Sequence, residues 1–320
     1  MKKSFLPYFV FAVLLHYGCS STVTFDQESV RYHIPLSETE EIIRTLASDD
    51  MKGRDAKSGG YYKAAAYVID YFKAHNIQPF YPEYKDSLVT DSLLSYNVVG
   101  HIGPFLPHRK TVLIGAHLDH IGIKGSVGDT LYNGANDNAS GSTAALQIGA
   151  FLAQHTWEQN IVISLFADEE KGLKGAEHLA ERMKKENVKL DYLVNFEMLG
   201  TVLTTGENQV YLTGYEHSNM AEVFNAVSPN FVQFLPEAKA YNLFKRSDNY
   251  PFAKTFGVAA QTFATFDFKN YDHYHGAEDE VENLNLENLN AVIGTAAYSL
   301  AVILQNKTPI IWTQKEEAEQ

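Results

Sequence analysis

Thr111-Val112-Leu113-Ile114-Gly115-Ala116 is a short apolar run that stops abruptly at His117-Leu118-Asp119-His120. A run of this length and branching reads as a buried strand. The same figure recurs twice: Ile161 to Ala167 ends in Asp168-Glu169-Glu170, and Tyr192 to Phe196 ends in Glu197. Helical stretches separate the runs, one from about Asn138 to Gln154 and one from about Leu173 to Lys185. Strands alternating with helices are the rhythm of parallel strands joined by crossovers, so the chain reads as α/β. In such sheets ligands gather at the carboxyl ends of the strands. All three runs end in groups able to hold a metal or carry a proton, and Asn136-Asp137-Asn138 adds another where a loop enters a helix. Singly, each has an ordinary explanation: a hydrogen-bonded strand-end histidine, a solvated Glu-Glu pair, a helix cap at Asp137. Jointly they do not, since chance scatters acidic residues over both ends of strands.

Working outward, Val258 to Phe263 is a further strand candidate. Leu36 to Leu46 and Tyr61 to His75 repeat apolar residues at helical spacing around a Gly-rich loop at 53–60. Asn285 to Gln305 reads as a closing helix with Leu286, Leu289, Val292, Ile293 and Ala296 on one stripe. Residues 201–250 mix turn residues with aromatic ones and read as an insertion that covers the site or decorates the surface. No repeat or low-complexity block is found. The expected organisation is one domain over 36–310, followed by a polar tail at 311–320.

The 320 residues are 45% hydrophobic, enough for a large core. Lys2 and Lys3, the apolar run Phe5 to Leu15, and Gly18-Cys19-Ser20 read as a bacterial export signal over 1–18, too short to span a bilayer comfortably. The single cysteine, Cys19, resembles the lipid-accepting cysteine of bacterial lipoproteins, although His16 and Tyr17 depart from the usual lipobox. Residues 19–35 are then a lipid-anchored tether. The expected location is outside the cytoplasm, anchored to a membrane at Cys19 or otherwise secreted. Without a cysteine pair the fold cannot rest on disulfides. Removing Lys2 and Lys3 leaves 24 basic against 39 acidic residues, which argues against a nucleic-acid or anionic-lipid surface.

Around these positions the chain resembles the co-catalytic zinc aminopeptidases of peptidase family M28. The resemblance rests on Gly115-Ala116-His117-Leu118-Asp119-His120, Gly134 to Gly141, Phe166 to Gly175, Asn195-Phe196-Glu197-Met198-Leu199-Gly200, Arg246-Ser247-Asp248 and Tyr274-His275-Gly276-Ala277-Glu278-Asp279. It implies a mixed, largely parallel central sheet flanked by helices on both faces, a three-layer sandwich. It also implies two zinc ions bridged by Asp137, with His117 and Glu197 completing one site and Glu170 and His275 the other. Zinc takes such nitrogen and carboxylate ligands, and a paired site polarises a peptide carbonyl while activating water.

Glu169 is then the general base, adjacent to a ligand but assigned no metal. Asp119 is expected to accept a hydrogen bond from the second nitrogen of His117. Tyr274 either donates to the tetrahedral oxyanion or packs beside the ligand loop, and Asp248 serves a ligand or the substrate amine. His120 and His273 are left as neighbours of the site and His178 as a helix-face residue. The implied activity is hydrolysis of N-terminal residues from peptide substrates. Many aminopeptidases of this family carry Asp where this chain has Glu197, so a carboxypeptidase or dipeptidase stays open, as does a one-zinc glutaminyl cyclase or a non-enzymatic binding protein. Oligomeric state is not legible.

Overall fold

The computed structural model describes residues 24–126 and 128–313. The expected export signal, Cys19, the first residues of the tether and the tail from 314 lie outside the described residues. Among the described residues the strands are β1 Gln78–Pro79, β2 Lys85–Thr90, β3 Leu93–Ile102, β4 Thr111–His117, β5 Gly122–Ile123, β6 Leu131–Tyr132, β7 Asn160–Phe166, β8 Leu190–Glu197, β9 Val210–Leu212, β10 Val232–Gln233 and β11 Ala259–Ala264. The α-helices are α1 Gln27–His33, α2 Leu36–Leu46, α3 Gly60–Ala74, α4 Gly141–Leu152, α5 Lys174–Lys185, α6 Met220–Val227, α7 Pro236–Ala240, α8 Asn249–Phe256 and α9 Leu286–Asn306.

Nine strands form one mixed sheet in the order β1-β3-β7-β4-β8-β11-β9-β10, with β2 paired to β3. The central four, β7, β4, β8 and β11, run parallel, and antiparallel additions flank them. Side chains alternate across a strand with period two, and here both faces are apolar. Val112, Ile114 and Ala116 of β4 share one core with Ile163 of β7, Val194 of β8 and residues of α4 and α9. Leu113, Val162, Phe166 and Leu193 share the other with Leu179 and Met183 of α5 and Phe252 of α8. The result is the expected three layers.

Gly115 is where the second face needs room, because a Cβ there would lie 2.4 Å from the Phe166 ring. Helix α4 is buried along its whole length, which explains why its sequence is not amphipathic. Helix α9 is apolar enough by length and composition to cross a membrane, but two-thirds of that window is buried in the core.

Two expectations change. The tether is shorter than expected: α1 packs on α9, and Val30 and Ile34 are buried. Val30 lies on α1 and Ile34 directly after it, an apolar pair four residues apart. Residues 201–250 extend the sheet, since β9 pairs with β11 and β10 pairs with β9 while α6 packs on α9.

Candidate metal centre

Because β4, β7 and β8 are parallel and nearly in register, His117, Asp168 and Glu197 leave the sheet on the same edge. Asp137 enters that edge from the loop before α4, where Asp279 accepts hydrogen bonds from Asn136 N at 2.7 Å and Asp137 N at 3.0 Å. The two oxygens of Asp137 face different histidines. Oδ1 lies 3.2 Å from His117 Nε2, and Oδ2 lies 3.1 Å from His275 Nε2. Glu170 Oε2 is 3.3 Å from His275 Nε2, and its Oε1 is 2.9 Å from His120 Nδ1.

His120, Asp137, Glu170 and His275 each place one donor atom within 4.8 Å of the others. Zinc bonds of roughly 2.0–2.1 Å to tetrahedral ligands put neighbouring donors about 3.3 Å apart. The contacts of 3.1 and 3.3 Å at His275 match that spacing, and the donor types are those zinc prefers. These residues fit the metal.

Glu197 stands apart from this group. Its Oε2 accepts a hydrogen bond from Ser247 Oγ, which in turn accepts from Asn195 Nδ2 at 2.9 Å. Burial pushes the Glu197 carboxyl up, while the His117 charge pulls it down. The structure therefore places Glu197 beside His117 but holds it with Ser247, a contact the motif Arg246-Ser247-Asp248 did not specify.

Asp168 adopts a left-handed conformation at φ 54°, and Glu169–Lys171 form one 3₁₀ turn, so that Glu169 and Glu170 both turn toward the sheet edge. Asp119 builds this turn. Its Oδ1 accepts from Glu169 N at 3.1 Å and its Oδ2 from Glu170 N at 3.3 Å. The expected carboxylate contact with His117 is therefore corrected. His117 Nδ1 lies 3.0 Å from the backbone oxygen of Asp119 and 3.9 Å from its Oδ1, because the carboxylate is engaged by two N–H groups.

Burial pushes the Asp119 carboxyl up to about 7, against the lowering charge of His117. Burial also holds Glu169 well above the usual carboxylate range, with the His117 charge opposing and Glu197 and Asp248 adding to it. Among the described residues no hydrogen bond occupies the Glu169 carboxylate. For His275, burial opposes the charged ring, but hydrogen bonds to Asp137 and Glu170 raise it to about 10.

Asp248 is fully buried, and neither of its oxygens has a hydrogen-bond partner among the described residues. Tyr274 stacks on His275 with ring centroids 4.0 Å apart, is 42% exposed and lines the cleft beside Glu197. His273 packs edge-on against Tyr271, and His178 on α5 pairs with buried Asp86 at 3.0 Å. Beside Glu197 opens a cleft walled by Met198, Tyr211, Leu243, Phe266, Phe268 and Tyr274. The stretch 201–250 thus lines the site as well as extending the sheet.

The residue the sequence reading missed is Arg54, in the Gly-rich loop. It is wholly buried and donates to the backbone oxygens of Leu46, Leu118, Asn133, Gly134 and Asp137. It thereby ties the His117 loop to the Asp137 loop. Burial lowers its guanidinium to about 10, with Asp279, Asp137, Asp119 and Glu170 opposing, so it stays charged at neutral pH. An arginine beside glycines carries no burial signal in a sequence.

The chain is 25% identical to the aminopeptidase YwaD of Bacillus subtilis over 227 residues, 69% of this chain and 48% of that one. It therefore spans less than half of the length of that relative. The fold is similar to that of the LapA aminopeptidase of Legionella pneumophila, with a TM-score of 0.70 at 17% identity over 95% of this chain and 80% of that one. It is also similar to the glutaminyl cyclase of Porphyromonas gingivalis, with a TM-score of 0.64 at 16% identity over 84% of this chain and 98% of that one. Residues 97–300, well over half of the chain, match the model of peptidase family M28: the chain is a member of that family.

Proposed function

We infer that the protein is a zinc-dependent exopeptidase of the aminopeptidase type, hydrolysing N-terminal residues from peptides. The observation that carries this reading is the orientation of Asp137, whose two oxygens face His117 on one side and His275 on the other. A carboxylate shared in that way suits a pair of ions, one held with His117 and Glu197 and one with Glu170 and His275. Bound there, zinc supplies Lewis-acid polarisation of the peptide carbonyl and makes water a stronger acid.

The remaining steps belong to the chain. Glu169, its carboxylate without hydrogen bonds among the described residues and adjacent to Glu170, takes the proton of the attacking water and returns it to the leaving amine. Its raised proton affinity suits a group that must hold a proton between those steps. The Tyr274 hydroxyl donates to the oxyanion as it develops. The aromatic cleft receives the terminal side chain.

A panel of aminoacyl and N-blocked peptides, run with zinc-loaded and chelator-treated protein, tests this reading. Cleavage is expected only of substrates with a free α-amine and only with metal. Cleavage of N-blocked peptides at the carboxyl end would instead assign a carboxypeptidase. The Ser247 contact that holds Glu197 favours one alternative, a single-ion cyclase, which the same panel identifies by pyroglutamate formed from N-terminal glutamine.

A further inference from the structure

His120, which the sequence leaves as a neighbour of the site, stands closer to Glu170 than any other side chain of the centre. Its side chain is fully buried, and Nδ1 lies 2.9 Å from Glu170 Oε1 but 3.8 Å from Asp137 Oδ2. The ring is seated against Gly134, where a Cβ would come within 2.4 Å of His120 Cδ2, so its position is set by the same loop that carries Asp137. Glu170 is thus held between two imidazoles, with Oε1 toward His120 and Oε2 toward His275.

Two roles are compatible with a histidine at this place, and the tautomer separates them. If Nδ1 ligated the ion, the proton would sit on Nε2, which is buried and has no partner among the described residues. Orphaned buried N–H groups are rare, whereas an unpartnered acceptor is better tolerated. If Nδ1 carries the proton, it donates to Glu170 Oε1 and only a lone pair on Nε2 is left unpaired. A ligating carboxylate is commonly fixed in this way by a hydrogen bond from outside the coordination sphere.

We propose that His120 is a positioning residue of the metal centre, whose Nδ1–H holds Glu170 Oε1 so that Oε2 faces the ion beside His275. Three protein ligands, Asp137, Glu170 and His275, then serve that ion and leave it an open position, whereas a fourth ligand would close the site. The proposal rests on the metal-dependent function inferred above.

The test compares wild type with His120→Asn and His120→Leu, two variants of similar shape. The asparagine amide nitrogen replaces Nδ1 as a donor but does not bind zinc. Zinc affinity is measured on the full chain by competition with a chelator, and the visible absorption of the cobalt-loaded protein reports coordination number. His120→Leu is expected to lose about 10- to 100-fold in affinity, and His120→Asn to recover most of it. The cobalt spectrum is expected to keep its intensity in both variants at saturating metal.

An asparagine variant as weak as the leucine one, with an altered cobalt spectrum, overturns the proposal in favour of a fourth ligand. Unchanged affinity in His120→Leu overturns it in favour of simple packing. Should His120→Leu not fold, judged by circular dichroism of the metal-free protein, His120→Asn decides alone: affinity near wild type supports the proposal and a large loss overturns it. Wild type that binds no zinc is a different result, since it removes the underlying functional reading rather than the role of His120.

Discussion

At the residue scale the centre depends on a few side chains with separable jobs. Glu169 lies next to Glu170 but its carboxylate accepts no hydrogen bond among the described residues, so Glu169→Gln is expected to lower turnover by about 10²- to 10⁴-fold while leaving zinc content unchanged. Steady-state kinetics beside metal analysis checks both halves, and near-normal turnover refutes the role of Glu169 as base. Arg54 tests a different dependence. Arg54→Met strips five backbone oxygens of their donor and is expected to destabilise the protein by about 3–5 kcal/mol in urea unfolding. Arg54→Lys keeps the charge but offers only three N–H groups without the planar fork, so its loss is expected to be smaller. Sequence reading singled out His117, Glu169, Glu170 and Glu197 because they follow apolar runs, and reached His275 only through the family resemblance. It did not find Arg54, Ser247 or Asp279 as supports, because their roles arise from loops distant in sequence that meet only after folding.

At the scale of elements, the parallel strands were legible and the antiparallel ones were not. Strands β4, β7 and β8 are continuous apolar runs because both faces are covered, and such runs stand out from their surroundings. The hairpin of β2 and β3 is half exposed, polar at Asp86, Ser87, Ser95 and Asn97, and closed by Asp91 and Ser92 at positive φ without glycine. It offers neither a run nor a turn signature. Helix α1 was hidden by its brevity. The tight contact between β4 and β7 gives the prediction at this scale: Gly115→Ala sets a methyl against the Phe166 ring and is expected to cost about 1–3 kcal/mol. A lowered melting temperature checks this, and an unchanged one means that the ring moves freely.

At the scale of the whole molecule, the metal centre couples stability to pH. In metal-free protein Asp119 holds its proton up to about 7, above the unfolded value near 3.9, and His275 up to about 10, above the unfolded value near 6.5. In both cases the folded state binds more protons than the unfolded state across the interval. Stability therefore falls as pH rises, from about 4 to 7 through Asp119 and from about 6.5 to 10 through His275. Asp137 and Glu170 are held below the usual range, burial notwithstanding, by hydrogen bonds to histidines, so they lose stability only as the pH falls below about 4. Urea midpoints of chelated protein are thus expected to decline between pH 6 and 9, and zinc, whose binding displaces these protons, is expected to remove the decline. A flat profile without metal contradicts the assignment of protons to the centre.

The proposed pairing of two ions is tested most directly by the zinc content of the full chain after exhaustive dialysis. Two zinc ions per chain are expected, since Asp137 turns one oxygen to His117 and the other to His275. One ion or none contradicts it.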